Sequence, residues 1–176
     1  MILDNLALKI SLAIKRSNPD ETASVEVMQY ALGILLNTLI TFICSILIGL
    51  LLHQWTATLL FYICFTLLRI CSGGFHLKTA LACNIVTTLL CTVTPFAFHP
   101  TGYVLLVLNI CSLLIMLLFA PNPDSNTHIP LRWFPALKLT SIAFIGLSFL
   151  IGSSVIGLAF FVQSLTVIPW KGGFSR

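Results

Sequence analysis

Long apolar runs separated by short polar breaks form the dominant pattern along this chain. Residues 31–52 carry no charged side chain, and a helix of that length is enough to cross a lipid bilayer. Further apolar runs cover residues 56–68, 79–98, 103–120 and 139–168. The breaks between the runs are too short to fold separately, so residues 1–176 are expected to form one domain. The pattern predicts an all-α integral membrane protein.

Two of these runs are open to more than one interpretation. The run 56–68 is too short to span a bilayer unless its helix continues into residues 69–74. The run 139–168 is broken by Gly146 and by Gly152-Ser153-Ser154, which favours a hairpin of two short helices over one long tilted helix. With the hairpin counted as two helices, about six transmembrane helices are predicted.

An amphipathic helix is predicted over residues 2–16, lying in the membrane interface, because its apolar positions form one stripe and its charged positions lie elsewhere. The stripe is Leu3, Leu6, Ile10 and Ile14, and the charged residues are Asp4, Lys9, Lys15 and Arg16. An ordinary packed helix is the alternative. The next helix is predicted to start at Asn18-Pro19-Asp20-Glu21, with Asn18 as its cap.

The composition excludes a water-soluble fold, because 58% of the residues are hydrophobic and only 8% are charged. Soluble domains carry about 25% charged residues. The net charge of +4 is spread in small groups, which fits headgroup contact and membrane topology, not a nucleic-acid surface. Basic residues alternate between segments, so the N-terminus, residues 69–78, residues 121–138 and the C-terminus are expected on the cytoplasmic side.

Most of the six cysteines are interpreted as packing residues. Cys44, Cys64, Cys91 and Cys111 lie within apolar runs, where a thiol behaves as a small hydrophobe. The sequence has no paired Cys-x-x-Cys motifs, which argues against a structural zinc site. We therefore expect neither a metal nor another cofactor.

The chemistry of the chain is concentrated in residues 69–83, where His76 precedes Cys83 by seven positions. Ionisable groups at membrane depth indicate a functional site, and a thiol beside an imidazole suits nucleophilic acyl transfer. Cys83 is the predicted nucleophile and His76 its base. In one unbroken helix the two would lie about 10.5 Å apart along the axis, so the pair requires His76 to lie in a non-helical turn.

Other residues of this segment are given supporting roles. Gly73-Gly74 is expected to interrupt the helix and free N–H groups for an oxyanion, the alternative being a plain turn. Arg69 or Lys78 would hold a substrate carboxylate or favour the thiolate, unless they only set topology. Cys71 is a rival nucleophile. No third catalytic residue stands out, although Asp124 and Glu26 are candidates to orient the imidazole.

At these residues the chain resembles the AgrB family, the bacterial membrane endopeptidases of peptide quorum sensing. The resemblance begins at Arg69 and continues through Ser72-Gly73-Gly74-Phe75-His76 to Cys83. Ala120-Pro121-Asn122-Pro123-Asp124 with Asn126, and Gln163-Ser164-Leu165-Thr166 with Pro169, also resemble family segments. The chain departs from the family at Thr127-His128, where many members carry a basic residue, and in a terminal hairpin that looks short.

The resemblance implies a thiol protease of the bacterial cell membrane, with Cys83 as nucleophile and His76 as base. Its substrate would be a short AgrD-like precursor peptide, cleaved through a thioester that passes to a cysteine, or in some lineages a serine, to close a (thio)lactone ring. The resemblance also implies contact with membrane lipid and a homodimer. No nucleic acid is expected.

Two other classes remain open at the level of the residues. A small transporter or peptide exporter would line its pathway with His76, Arg69 and Lys78, but the sequence lacks the internal repeat of many transporters. A non-catalytic membrane subunit would use the polar segment to dock a partner. Only the protease requires Cys83 for its activity.

Overall fold

The computed structural model is a bundle of helices, and the structure describes residues 2–75, 77, 79–122 and 130–169. The α-helices in this part of the chain are α1 Ile2–Ser17, α2 Val25–Leu51, α3 Trp55–Ser72, α4 Ala80–Ala97, α5 Gly102–Phe119, α6 Phe134–Ile151 and α7 Ser154–Val167. A single 3-10 turn over Leu131–Trp133 leads into α6. The all-α prediction is confirmed.

Helix length and apolarity are those of a multi-pass membrane protein. Within the described residues, five helices, α2 to α6, are long and apolar enough to cross a membrane. The sixth apolar helix, α7, has 14 residues, which correspond to about 21 Å. Because the hydrocarbon core of a bilayer is about 30 Å thick, α7 is too short to span it alone. Of the about six transmembrane helices predicted, five have the required length in the described residues, and the sixth is a shorter apolar helix.

The structure decides between the alternatives for both ambiguous runs. Helix α3 does not stop at Leu68 but continues through Arg69 to Ser72, which brings it to 18 residues. The terminal run is a hairpin, and it breaks at Gly152, whose φ of 64° is left-handed. Its N–H still donates to the carbonyl of Ser148 at 3.0 Å, so the glycine closes α6 before α7 begins.

The N-terminal helix is confirmed, whereas the predicted start of the next helix is wrong. Helix α2 begins at Val25, and the Ser24 side chain caps it by accepting a hydrogen bond from the N–H of Val27. Residues 18–23 form a turn instead. In that turn the Asn18 side chain donates to the Glu21 carboxylate at 2.9 Å, so Asn18 is engaged locally and does not cap a helix.

The shortest apolar helix is also the most enclosed one. Helix α7 packs chiefly against α3 and α5, and its buried residues are Ile156, Gly157, Leu158, Ala159, Phe160, Gln163, Ser164 and Val167. Gly157 allows the close approach to α5, because a Cβ there would collide with Leu105 Cδ1 and lie 3.0 Å from Asn109 Oδ1. Small residues therefore let α7 occupy the centre of the bundle.

Replacing Gly157 by valine should lower the stability of the bundle. The added side chain meets Leu105 and Asn109, and overpacking of this kind costs about 1–3 kcal/mol. The measurement is thermal unfolding in detergent micelles. Gly146→Val on α6 is the matched control, since nothing lies within 4 Å of a Cβ at that position. Equal losses in the two variants would contradict the packing described for α7.

Candidate active site

Cys83 lies one turn inside the N-terminal end of α4. The helix begins where it does because the Thr79 side chain accepts a hydrogen bond from the N–H of Ala82 at 3.2 Å. The N–H of Cys83 donates to the carbonyl of Thr79 at 3.1 Å. A helix N-terminus favours a nearby negative charge, so this position suits a thiolate.

Helix α3 ends at Ser72 and α4 starts at Ala80, so the seven positions before Cys83 do not form one continuous helix. Two of the predicted site residues, His76 and Lys78, lie outside the described residues, as do Asp124, Asn126, Thr127 and His128. The pairing of His76 with Cys83 thus remains a prediction.

The backbone at Gly73-Gly74 is held by carbonyl groups of α3 and of two distant segments. The N–H of Gly73 donates to Arg69 O at 2.9 Å, that of Gly74 to Asn122 O at 2.9 Å, and that of Phe75 to Thr166 O at 2.7 Å. All three donors are occupied, which does not fit the expectation that the glycines free N–H groups for an oxyanion. The two glycines instead allow positive φ angles of 70° and 136° and a close approach to α7.

Asn122 joins the connection after α3 to the end of α7. Its N–H donates to Ser72 O at 2.8 Å, and its carbonyl accepts from the N–H of Gly74. Its side-chain nitrogen donates to Val167 O at 3.1 Å. This asparagine, which belongs to the Ala-Pro-Asn segment noted in the sequence, therefore bridges three parts of the chain.

Gln163 fixes the same connection from inside the bundle. Its side chain is fully buried, and Nε2 donates to Ser72 Oγ at 3.1 Å and to Gly73 O at 2.7 Å. Its Oε1 faces Arg69 Nη1 at 3.5 Å. Sequence reasoning noted the segment but not this positioning role; the available signal was an amide side chain within an otherwise apolar helix.

The Arg69 side chain makes two further contacts near the end of α3. Its Nη2 donates to the carbonyl of Phe75 at 3.0 Å, and its guanidinium lies over the Phe65 ring, 5.8 Å from the ring centre. The side chain therefore braces the segment that follows the glycines. As a cation in the last turn of α3 it also complements the helix dipole.

A cavity of about 670 Å³ lies between α1, α2, α3 and α4. Both Cys83 and Arg69 line it, together with Glu26. All six cysteines belong to the described residues, and Cys83 is the one cysteine among them that lines this cavity. The polar lining residues also include Asp4, Gln29, Tyr30, Asn37, Thr38, Thr41, Tyr62, Thr66, Asn84 and Thr87. The rival nucleophile, Cys71, lies outside that lining.

Three polar residues inside the cavity were not singled out from the sequence. The single hydroxyl proton of Thr41 is shared between Asn84 Oδ1, at 2.8 Å from Oγ1, and Asn37 O, at 2.9 Å. Asn84 directly follows Cys83 in α4, and Asn37 and Thr41 lie one turn apart on α2. The two helices thus share a hydrogen-bonded polar contact next to the candidate nucleophile.

The family-model and sequence comparisons with known proteins indicate the same family. The family model described as "Accessory gene regulator B", AgrB, matches residues 6–170. An AgrB-like protein of Halalkalibacterium halodurans is 25% identical over 96% of this chain and 88% of its own. The accessory gene regulator protein B of Staphylococcus intermedius is 26% identical over 81% of this chain and 77% of its own. No solved structure matches.

Replacing Gln163 by leucine should destabilise the protein by about 1–3 kcal/mol, because the Ser72 hydroxyl and the Gly73 carbonyl lose a buried partner. Unfolding in detergent provides the measurement. Ser164→Ala is the control, because the Ser164 hydroxyl, also fully buried, bonds only within its own helix, to Phe160 O. A leucine variant as stable as the alanine control would show that Gln163 does not hold the connection.

Replacing Gly74 by alanine should disrupt the connection between α3 and α7. The new Cβ would lie 2.6 Å from Thr166 Oγ1 and 3.3 Å from Thr166 O, at a φ of +136°. Backbone strain of this kind costs about 1–3 kcal/mol. Gly102→Ala is the matched control, with φ +52° and nothing within 4 Å. Limited proteolysis between α3 and α4 should accelerate in Gly74→Ala only, and equal protection in both would contradict the predicted clash.

Proposed function

Because the chain belongs to the AgrB family, we propose that it is a membrane cysteine endopeptidase that acts on a short AgrD-like precursor peptide. Family membership and relatives named accessory gene regulator protein B are consistent with a role in an agr quorum-sensing system. The observation that carries the finer proposal is the position of Cys83. It is the one cysteine of the chain that lines the polar cavity between α1 and α4.

In the proposed reaction His76 takes the proton of the Cys83 thiol, and the sulfur attacks the carbonyl carbon of the scissile peptide bond. The C–N bond breaks, the leaving amine takes the proton from His76, and a thioester remains on Cys83. A cysteine or serine of the peptide then attacks that thioester, closes a ring and releases the Cys83 thiol. The end of α3 before His76 supports this pairing, since one continuous helix would separate the two groups.

The surroundings of Cys83 favour ring closure over hydrolysis. Apolar side chains such as Phe65 and Ile34 share the cavity lining with the polar groups, and a site poor in water protects a reactive intermediate. Formation of the thioester from an amide is uphill, but exchange of one thioester for another is close to even in free energy, so ring closure from the acyl-enzyme itself needs no further energy source.

The shape of the cavity is compatible with a peptide substrate. From Glu26 to Thr41 the cavity follows α2 for about four turns, or about 22 Å. An extended peptide of about six or seven residues has that length. Helix α1, which we propose to lie in the membrane interface, also borders the cavity through Leu3 and Asp4, so a substrate with an amphipathic leader would approach along the membrane surface.

The proposal also covers the membrane topology of the chain and its assembly into a dimer. The distribution of basic residues supports a cytoplasmic position for the connection between α3 and α4, on the side where the precursor would be made. Lys78 would bind a substrate carboxylate from that side, and Arg69 would position the segment through the Phe75 carbonyl. A homodimer in the lipid bilayer is proposed on the family resemblance.

Replacing Cys83 by alanine should abolish cleavage, by about a thousandfold or more, because the nucleophile is lost. The assay uses the full chain in lipid vesicles with a panel of synthetic AgrD-like precursors, each with an amphipathic leader, an internal cysteine and a C-terminal tail, and detects products by mass spectrometry. His76→Ala should lose a similar factor. Cys71→Ala and Cys111→Ala are the matched controls and should retain activity.

Alkylation tests the pair without any substrate. In a variant that keeps Cys83 alone, iodoacetamide should label the thiol at pH 7 faster than in the same variant carrying His76→Ala, since the base promotes the thiolate. Cleavage that survives Cys83→Ala, or a wild-type chain that cleaves no precursor of the panel, would contradict the protease. A transporter would keep its activity in Cys83→Ala.

A further inference from the structure

We propose that Asn84 is a catalytic residue of this site and that its side-chain nitrogen, positioned by Thr41, donates the hydrogen bond that stabilises the oxyanion. The inference rests on the proposed function, because an oxyanion arises only if Cys83 attacks a carbonyl. It assigns to the reaction a residue that sequence patterns did not indicate.

The reaction needs a hydrogen-bond donor at a defined point. When the Cys83 sulfur adds to the carbonyl carbon, the π electrons of the C=O bond move to oxygen and create a negative charge. The charge disappears when the C=O bond forms again and the amine leaves with the proton from His76. A donor fixed in advance at that oxygen lowers the barrier strongly in a site where water is scarce.

Several backbone donors of this region are already engaged. The N–H of Gly73 donates to Arg69 O in the last turn of α3, and those of Gly74 and Phe75 donate to Asn122 O and Thr166 O. At the start of α4 the N–H of Ala82 donates to Thr79 Oγ1, and that of Cys83 donates to Thr79 O. Because these five groups are engaged, the donor of this proposal is a side chain of the cavity lining.

The side chain of Asn84 is in a position to donate this hydrogen bond. Its Cα is about 3.8 Å from that of Cys83, as for any consecutive residues, and both residues line the same cavity. Asn84 Oδ1 accepts the hydrogen bond from Thr41 Oγ1 at 2.8 Å, which leaves Nδ2 as the outer end of the amide. In the described part of the chain no group accepts a hydrogen bond from this nitrogen.

Thr41 holds the amide rigidly. Its side chain is buried, with 4% of its surface exposed, and its hydroxyl also contacts Asn37 O at 2.9 Å. The contact joins α2 to α4 in the interior of the bundle. A donor whose orientation is set by packing acts without reorganisation during the reaction. Thr41 is thus a positioning residue for Asn84.

Two other polar side chains of the cavity lining have different tasks. Arg69 Nη2 donates a hydrogen bond to Phe75 O, and the Tyr62 hydroxyl donates one to Thr38 O at 2.9 Å. Both therefore support the protein fold through their hydrogen bonds. The Asn84 nitrogen combines proximity to Cys83 with an uncommitted donor.

The test measures kcat and KM for a precursor that the wild-type chain cleaves in vesicles. Asn84→Ala should lower kcat by about 100- to 1,000-fold, as for removal of one oxyanion donor, with KM changed by no more than about threefold. Asn84→Asp, nearly isosteric, should lose at least as much, because a carboxylate oxygen replaces the donor. Thr41→Val should lower kcat by about tenfold, and Thr41→Ser, which keeps the hydroxyl, should restore it.

A second readout separates this role from a structural one. Iodoacetamide alkylation of Cys83 involves no oxyanion, so its rate should be the same in Asn84→Ala and wild type. Asn109→Ala is the matched control: this asparagine is buried on α5 and lies outside the cavity lining, and its kcat should stay within about threefold of wild type.

Three outcomes would overturn the inference. If Asn84→Ala keeps kcat within about threefold while Cys83→Ala is inactive, Asn84 is not the donor and the proposed function stands. If alkylation of Cys83 slows together with cleavage, Asn84 has only a structural role. If Cys83→Ala still cleaves, the inference and the proposed function are both wrong. If Asn84→Ala does not fold, kcat and the alkylation rate of Asn84→Asp are judged against the same three outcomes.

Discussion

The hydrogen bonds of the buried Gln163 amide are the interaction on which the site depends. A helix that ends inside an apolar bundle exposes carbonyl and N–H groups, and each costs several kcal/mol if it stays unpaired away from water. At the end of α3, Gln163 binds the Gly73 carbonyl and the Ser72 hydroxyl, while Asn122 pairs with Ser72 and Gly74. The chain can leave the helix at that depth because α7 and the segment after α5 supply the missing partners.

This arrangement separates two tasks within the bundle. Helix α7 and Asn122 hold the backbone between α3 and α4 from one side, whereas α2 reaches α4 from the other side through Thr41 and Asn84. Cys83 lies where these two supports meet, at the edge of the cavity. The first support satisfies the backbone, and its donors are therefore occupied. The second pairs Thr41 of α2 with Asn84 of α4, next to Cys83.

Hydropathy predicts most of the fold because lipid constrains helices by length. The extension of α3 through Arg69 and the hairpin at Gly152 both follow from that constraint. The start of α2 was missed because two capping signals compete within a few residues. Asn18 bonds Glu21 inside a turn, and Ser24 provides the cap. Neither sequence periodicity nor length decides between them.

The sequence predicts a candidate nucleophile but not the residues that hold its surroundings. Cys83 stands out by its spacing from His76, and the cavity agrees with that choice, whereas the pairing of the two stays a prediction. Gln163 and Gly73 are 90 residues apart in the chain, and Thr41 and Asn84 are 43 apart. Contacts at such separations depend on helix packing, so the expectation of free glycine N–H groups could not be checked from local sequence.

The C-terminal end of α7 has a consequence for how the protein is made. The last carbonyls of a helix lack partners within it; here Thr166 O accepts from the N–H of Phe75 and Val167 O accepts from the Asn122 side chain. Helix α7 is translated after α1 to α6, so the segment that follows α3 lacks these partners until α7 has been made. A nascent chain that has not yet reached α7 therefore carries the Cys83 thiol while the connection that precedes it is not yet held.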